Sequence, residues 1–198
     1  MHCEQTSAGR VSTLQAGIHG LGATKASFLP TIAALSPSFR TIAIDLPGFG
    51  DAAKPLRAAY DAPFFARSVV DVLDTLGLTR VHLVGHSLGG RVALEIAMRQ
   101  PDRLQSVTLM MPSMAWRRTR PWAPYLRLLR PELGLLQPVP RAIADPLVRH
   151  LVPGAAAGWG AVAVDEFLRG FLDPRGRAAF YAAARSIYPE EPSGPDGF

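Results

Sequence analysis

The sequence predicts an α/β protein: a parallel sheet covered by helices, followed by a region that is helical throughout. Three observations carry this. Apolar runs of strand length at residues 40–46, 81–84 and 106–111 alternate with segments of helical periodicity. The glycines around Ser87 force a tight turn between one of those runs and the helix after it. Beyond residue 113 the alternation stops, and proline-punctuated amphipathic segments follow.

The chain begins weakly. Residues up to Gly17 are polar or mixed, and 11–18 is a poor strand because Ser12, Thr13 and Gln15 interrupt it. A frayed, abbreviated amino end is expected. His19-Gly20-Leu21-Gly22 then makes a turn whose glycines let backbone N–H groups point inward. Residues 24–35 follow a helical pattern, with Thr24 as N-cap and Phe28, Ile32 and Leu35 on one face. The Ile-rich strand 40–46 ends in Asp45-Leu46-Pro47-Gly48-Phe49-Gly50-Asp51, a compact turn. Residues 60–76 form a helix capped by Asp61, with Pro63 in its first turn and Phe65, Val69, Val72, Leu73 and Leu76 recurring at three and four; Gly77 closes it.

The stretch Arg-Val-His-Leu-Val-Gly-His-Ser-Leu-Gly-Gly at 80–90 organises the rest. Val81, Leu83 and Val84 make a strand, and 91–99 is rich in helix formers. A serine at such a strand-to-helix turn has strained dihedrals and crowded neighbours, so Gly85 and Gly89 answer a steric requirement. Ser87 Oγ would project from the carboxyl edge of the sheet at the amino end of a helix, where free N–H groups and the helix dipole favour a developing negative charge. Pro101-Asp102-Arg103 breaks that helix before the strand at 106–111. Sites in parallel sheets collect at the carboxyl ends of strands, and residues 19–22, 45–51 and Ser87 all fall there.

Composition bounds the function classes. At 198 residues and 48% hydrophobic, the chain suits one domain or a domain with an inserted lobe. Its formal charge of +5 comes almost wholly from arginines interleaved with acids, without the basic stripe of a nucleic-acid binder. Arg117, Arg118 and Arg120, between Trp116 and Trp122, form one dense group, read as a solvated lobe surface in which arginine stems lie on rings rather than as an anion site. The single cysteine, Cys3, excludes an internal disulfide and a cysteine-rich metal site; no metal or cofactor is expected, and a reducing compartment fits. Residues 1–12 lack a signal-peptide core, and no stretch approaches the roughly 18 apolar residues of a membrane span. A soluble cytoplasmic protein is expected.

The His19-Gly20 turn, the Asp45-x-Pro47-Gly48-x-Gly50 turn and the Gly85-His86-Ser87-Leu88-Gly89-Gly90 elbow occur in an order that resembles the α/β-hydrolase fold superfamily, over about residues 11–112. The resemblance implies that Ser87 is the nucleophile. It further implies an oxyanion hole of backbone N–H groups, one after the nucleophile and one in the loop after the family's third strand, here Leu88 and Leu21. His19 is expected to brace its loop rather than carry protons, His86 to point away from the reaction, and Asp45 to anchor turns. A serine nucleophile argues against the haloalkane dehalogenase and epoxide hydrolase branches, which the resemblance associates with aspartate.

Residues 1–112 thus read as the amino-terminal part of the hydrolase core. Residues 113–189 read as the helical cap that many members insert, with helical segments at 125–129, 143–152, 162–172 and 178–187 and a helix start at Asp173-Pro174. Residues 190–198 read as a linker or tail. An apolar cap suggests a hydrophobic acyl substrate, although apolar helix faces also serve ordinary packing. The largest departure concerns the catalytic acid and base. In the family they follow the nucleophile on loops after two further strands beyond the cap, and this chain ends where those strands are expected. The one histidine after Ser87 is His150, inside an apparent cap helix, and the alternative acid position just after the sixth strand holds Met111, Pro112 and Ser113. An incomplete hydrolase is therefore expected.

Two functions remain. One is a serine hydrolase of carboxylic esters or related acyl bonds with an apolar substrate, its acid and base lying outside this chain. The other is a non-catalytic remnant that binds an apolar ligand or a partner. The residues distinguish neither ester from carbon–carbon hydrolysis or perhydrolase chemistry, nor acyl length, nor oligomeric state.

Overall fold

The computed structural model describes residues 3–6, 14–113, 121, 123–152 and 154–187. Its sheet has five strands: β1 Cys3–Thr6, β2 Leu14–Ile18, β3 Arg40–Ile44, β4 Val81–His86 and β5 Leu104–Met110. Their spatial order is β1-β3-β2-β4-β5, with β1 antiparallel to β3 and every other pair parallel. Ile18 lies level with Ile44 on one side and Gly85 on the other, so the loops after β2, β3 and β4 leave the sheet at one height. His86 is level with Met110, which brings the end of β5 to the same edge.

The inner strands are buried on both faces, as parallel strands between helix layers must be. Ala16, Ile18, Ile42, Ile44, Val81 and Leu83 belong to the main core. Ala43 and Val84 look the other way and meet Phe28 and Ile32. β2 forms despite its interruptions because it is paired on both sides, and Gly17 leaves room for a ring: a Cβ there would stand 2.8 Å from Phe28. β1 corrects the expectation of a frayed, abbreviated amino end at residues 3–6. Cys3 to Thr6 pairs with Ile44 to Thr41, covering backbone groups that β3 would otherwise leave at the sheet edge.

A 3-10 turn at Lys25–Phe28 leads into α1 (Leu29–Leu35), and Thr24 Oγ1 accepts from the Ala26 N–H at 3.3 Å as its cap. α2 (Ala62–Thr75) is capped by Asp61, whose Oδ1 accepts from the Phe64 N–H at 2.8 Å. α3 (Leu88–Arg99) follows β4 directly. After β5 the described residues contain no strand: a 3-10 turn at Ala123–Leu128 precedes α4 (Pro131–Leu136), α5 (Arg141–Leu151), α6 (Gly158–Leu172) and α7 (Pro174–Ile187). Pro174 opens α7, the position at which a missing N–H costs nothing.

This helical region has a small core of its own, in which Ala144 of α5 and Val164 and Leu168 of α6 surround Ala155. α7 ties it to the sheet. Ala179 and Ala183 share the main core with Phe49, Tyr60 and Phe65, and Ser186 Oγ donates to the Tyr60 carbonyl at 2.6 Å. The Trp116 to Trp122 arginine group and residues 190–198 lie outside the described residues. Among those described, no helix is long and apolar enough to cross a membrane.

Candidate active site

Ser87 is the single residue between the last residue of β4 and the first of α3. Its φ of 53° and ψ of −114° lie where L-residues are rarely found, and such strain persists only where the surroundings enforce it. Here they do. The Ser87 N–H donates to the Met110 carbonyl at 2.9 Å, and the Ser87 carbonyl accepts from the N–H groups of Ser113 at 2.9 Å and Arg91 at 3.2 Å. The glycines make room: a Cβ on Gly85 would overlap the Gly89 carbonyl, and one on Gly89 would overlap the Ile18 carbonyl. The first turn of α3 is therefore pressed against the ends of both β4 and β2.

The half-buried Ser87 hydroxyl lies 3.0 Å from Ser113 Oγ. Sequence reasoning placed Ser113 only as a neutral occupant of a position that some family members fill with an acid. Its partnership with Ser87 follows from the pairing of β5 with β4, which sets the residues leaving each strand side by side. Among the described residues no histidine or carboxylate hydrogen-bonds to Ser87. His150 occupies an exposed position in the last turn of α5.

On the other side of Ser87 runs the loop after β2. The Ala23 N–H donates to the Gly20 carbonyl at 3.1 Å and Gly22 takes a φ of 75°, as the third residue of a type II turn requires. A Cβ on Gly20 would stand 3.1 Å from Ser87 Cβ, so the loop that carries Leu21 faces the elbow directly. Leu88 opens α3, and its N–H has no acceptor within that helix. His86 is exposed, with Nδ1 3.2 Å from the same point above Gly20.

His19 is fully buried and serves the loop. The Leu46 N–H donates to its Nε2 at 3.0 Å, so the ring proton sits on Nδ1, which donates to the Gly20 carbonyl at 2.8 Å. Burial holds its pKa below the usual histidine value, only partly opposed by the Gly20 hydrogen bond and the charge of Asp45. A neutral ring with both nitrogens engaged by backbone is a brace, as expected from the sequence.

Asp45 is likewise a brace. Its fully buried carboxylate accepts from the Lys25 N–H at 2.7 Å, Lys25 Nζ at 2.9 Å and the Asp51 N–H at 3.1 Å. Lys25 Nζ also donates to Asp51 at 2.8 Å, and Arg169 of α6 reaches Asp51 at 3.2 Å. Burial opposes the Lys25 charge, but hydrogen bonds to Asp51 and Asp45 outweigh it and raise the ammonium pKa. Beside this cluster a cleft lined by Gly22, Thr24, Phe49, Glu166, Phe167 and Phe180 separates the β2 and β3 loops from α6 and α7. Among the described residues no group of three or more His, Cys, Asp or Glu side chains could hold a metal ion.

Comparison with known proteins bears on the family and the fold. A family model described as alpha/beta hydrolase fold matches residues 18–156. Over 138 residues the chain is 38% identical to a protein named carbamate hydrolase RutD from Variovorax paradoxus (strain S110), covering 69% of this chain and 50% of that protein. A protein of the same name from Pseudomonas savastanoi pv. phaseolicola (strain 1448A / Race 6) is 34% identical over 149 residues, covering 74% and 56%. The chain spans about half the length of these curated relatives. Among solved structures, a hydrolase from Pseudomonas aeruginosa PA01 superposes with a TM-score of 0.72 at 23% identity, covering 92% of this chain and 67% of that one. The enol-lactonase from Burkholderia xenovorans LB400 does so at 0.67 and 22%, covering 93% and 70%. Because the family model spans well over half of the chain, from residue 18 to 156, the chain belongs to the α/β-hydrolase fold family.

Proposed function

We propose that this chain is the nucleophile-bearing part of a serine hydrolase of carboxylic esters or related acyl bonds. The observation that carries the reading is Ser87, held at a φ of 53° between β4 and α3 with its hydroxyl half-buried beside the Gly20 loop. In this reading Ser87 Oγ bonds to the carbonyl carbon while its proton passes to a base. The carbonyl electrons move onto oxygen, held by the Leu21 and Leu88 N–H groups. Collapse expels the leaving group with a proton, and water releases the acyl group from Ser87. The relatives named for carbamate hydrolysis support a substrate within this acyl class. Phe167 and Phe180 near the Gly22 turn support an apolar one, with residues 113–189 as its cap. The low cysteine content supports a cytoplasmic setting.

The base and acid are proposed to come from outside this chain. No imidazole among the described residues meets Ser87, and the chain spans about half of its curated relatives. The same observation favours the second reading, a non-catalytic remnant that binds an apolar ligand or a partner. Incubation with an alkyl fluorophosphonate, followed by mass mapping, separates the two. The hydrolase reading expects one adduct, on Ser87, lost in Ser87→Ala. It also expects slow turnover of p-nitrophenyl butyrate by the 198-residue chain alone, within the residual enhancement of about a thousand to ten thousand over water that such sites keep without a full triad. Because no base within the chain activates Ser87, the adduct is expected to form slowly; its absence even after prolonged incubation with excess reagent overturns that reading in favour of the remnant. Rapid turnover lost on Ser87→Ala would place a base within the chain, and His150→Ala would then identify it.

A further inference from the structure

We infer that Ser113 is a positioning residue for Ser87, its hydroxyl holding the Ser87 hydroxyl in the attacking orientation and donating to it as negative charge develops. This rests on Ser87 being the nucleophile. Three observations carry it. Ser113 Oγ lies 3.0 Å from Ser87 Oγ and is the hydroxyl's side-chain partner among the described residues. Ser113 is 4% exposed, so water does not compete freely for its hydroxyl. The backbone fixes the spacing: the Ser113 N–H donates to the Ser87 carbonyl at 2.9 Å, while the Ser87 N–H donates to Met110, three residues before Ser113. Two backbone hydrogen bonds therefore frame one side-chain hydrogen bond, and the distance between the hydroxyls is set by the β4–β5 pairing rather than by flexible side chains.

The chemistry assigns the direction of that bond. Either serine can donate in the resting state, because a hydroxyl carries one proton and two lone pairs and rotates to suit. Once Ser87 gives up its proton, its oxygen can only accept, and Ser113 must be the donor. A hydrogen bond to an ionised oxygen is about twice as strong as one between neutral groups, so the Ser113 contact strengthens as the reaction begins. A carboxylate at residue 113 would do the opposite, repelling the developing charge on Ser87. This position in the fold therefore stabilises the nucleophile directly instead of orienting a base.

The test is the rate of Ser87 phosphonylation by the alkyl fluorophosphonate. In that reaction the Oγ–P bond forms, the P–F bond breaks, fluoride leaves and the serine proton passes to solvent. Ser113→Ala is expected to lower kinact about tenfold, roughly the effect of one hydrogen bond on a rate, with KI and melting temperature unchanged. Ser113→Thr, which restores the hydroxyl, is expected to return kinact to within about threefold of the parent. A purely structural role would move KI or the melting temperature and leave kinact alone. If Ser113→Ala does not fold, Ser113→Cys keeps the packing with a weak donor and is expected to show the same loss of kinact. Parental kinact in Ser113→Ala, or in Ser113→Cys where that is the variant available, overturns the positioning role while leaving Ser87 as the nucleophile. Absence of any Ser87 adduct in the parent overturns both.

Discussion

Two turns at the same edge of the sheet put polar groups to opposite uses. At the end of β3, Asp45 buries its carboxylate completely and spends every contact inside the protein, on Lys25 and on the backbone of Lys25 and Asp51. At the end of β4, Ser87 has its backbone pinned on both sides, while its hydroxyl stays half-buried with one side-chain partner among the described residues. The first turn is satisfied and closed. The second carries backbone strain and keeps an oxygen available. Burial and charge alone would have singled out the wrong one: Asp45 and Lys25 are the more unusual residues, yet their geometry is that of a clamp holding the β2 and β3 loops together. The candidate site is marked here by strain enforced around a group that remains accessible.

The largest expected effect breaks the clamp. Asp45→Ala removes a buried partner of Lys25 and the acceptor of two backbone N–H groups, and the loss of one half of a buried ion pair costs about 3–5 kcal/mol. Urea denaturation should show a correspondingly lower midpoint with little change in slope. A midpoint close to the parent's would mean that Asp51 alone holds Lys25 and that the contrast between the two turns is overstated.

The next effect strikes the elbow. Gly89→Val drives a branched side chain into the Ile18 carbonyl, where backbone cannot step aside, and should destabilise by at least about 1–3 kcal/mol. Thermal melting followed by circular dichroism checks it. Parental melting would remove the steric basis for the glycine at this position.

These two positions differ in how readily the sequence discloses them. The elbow is legible because its signature is local: two glycines flank one serine between an apolar run and helix formers, even though the carbonyl that Gly89 avoids belongs to Ile18 of β2. The Asp61 cap and the Pro174 helix start are legible for the same reason. Lys25 is not, because the carboxylates that pair with its ammonium lie 20 and 26 residues further along the chain. Ser113 is hidden likewise, 26 residues from Ser87 and adjacent to it only through strand pairing. β1 reads as a polar tail because its strand character comes from the β3 edge it covers, and α4 is too short for a helical period to show.

A smaller effect tests the brace between the two turns. The buried His19 ring has its pKa held below the usual histidine value, so an unfolded chain binds the proton more readily than the folded one. This contribution to stability is complete above about pH 6.5 and is lost as pH falls below it towards the folded pKa, at up to about 1.4 kcal/mol per pH unit. Between pH 6.5 and 5.5 the parent should lose stability, and His19→Asn, though less stable throughout, should lose less. Equal slopes would mean that other groups titrate in that window.

The smallest effect isolates the strain at Ser87 itself, by comparing two substitutions rather than either with the parent. Ser87→Ala and Ser87→Gly both delete the hydroxyl and its bond to Ser113, so that loss cancels between them. They differ in the backbone. Alanine keeps a Cβ in a conformation at φ 53° and ψ −114° that strains any L-residue by about 1–3 kcal/mol, whereas glycine adopts it freely. Against this, glycine loses more backbone freedom on folding, about 0.5–1 kcal/mol relative to alanine. The balance favours glycine by about 1 kcal/mol, a rise in melting temperature of about 2–4 °C for a chain of this size. If Ser87→Ala melts at or above Ser87→Gly, the elbow holds no strain, and the difference between a turn that stores it and a turn that does not disappears with it.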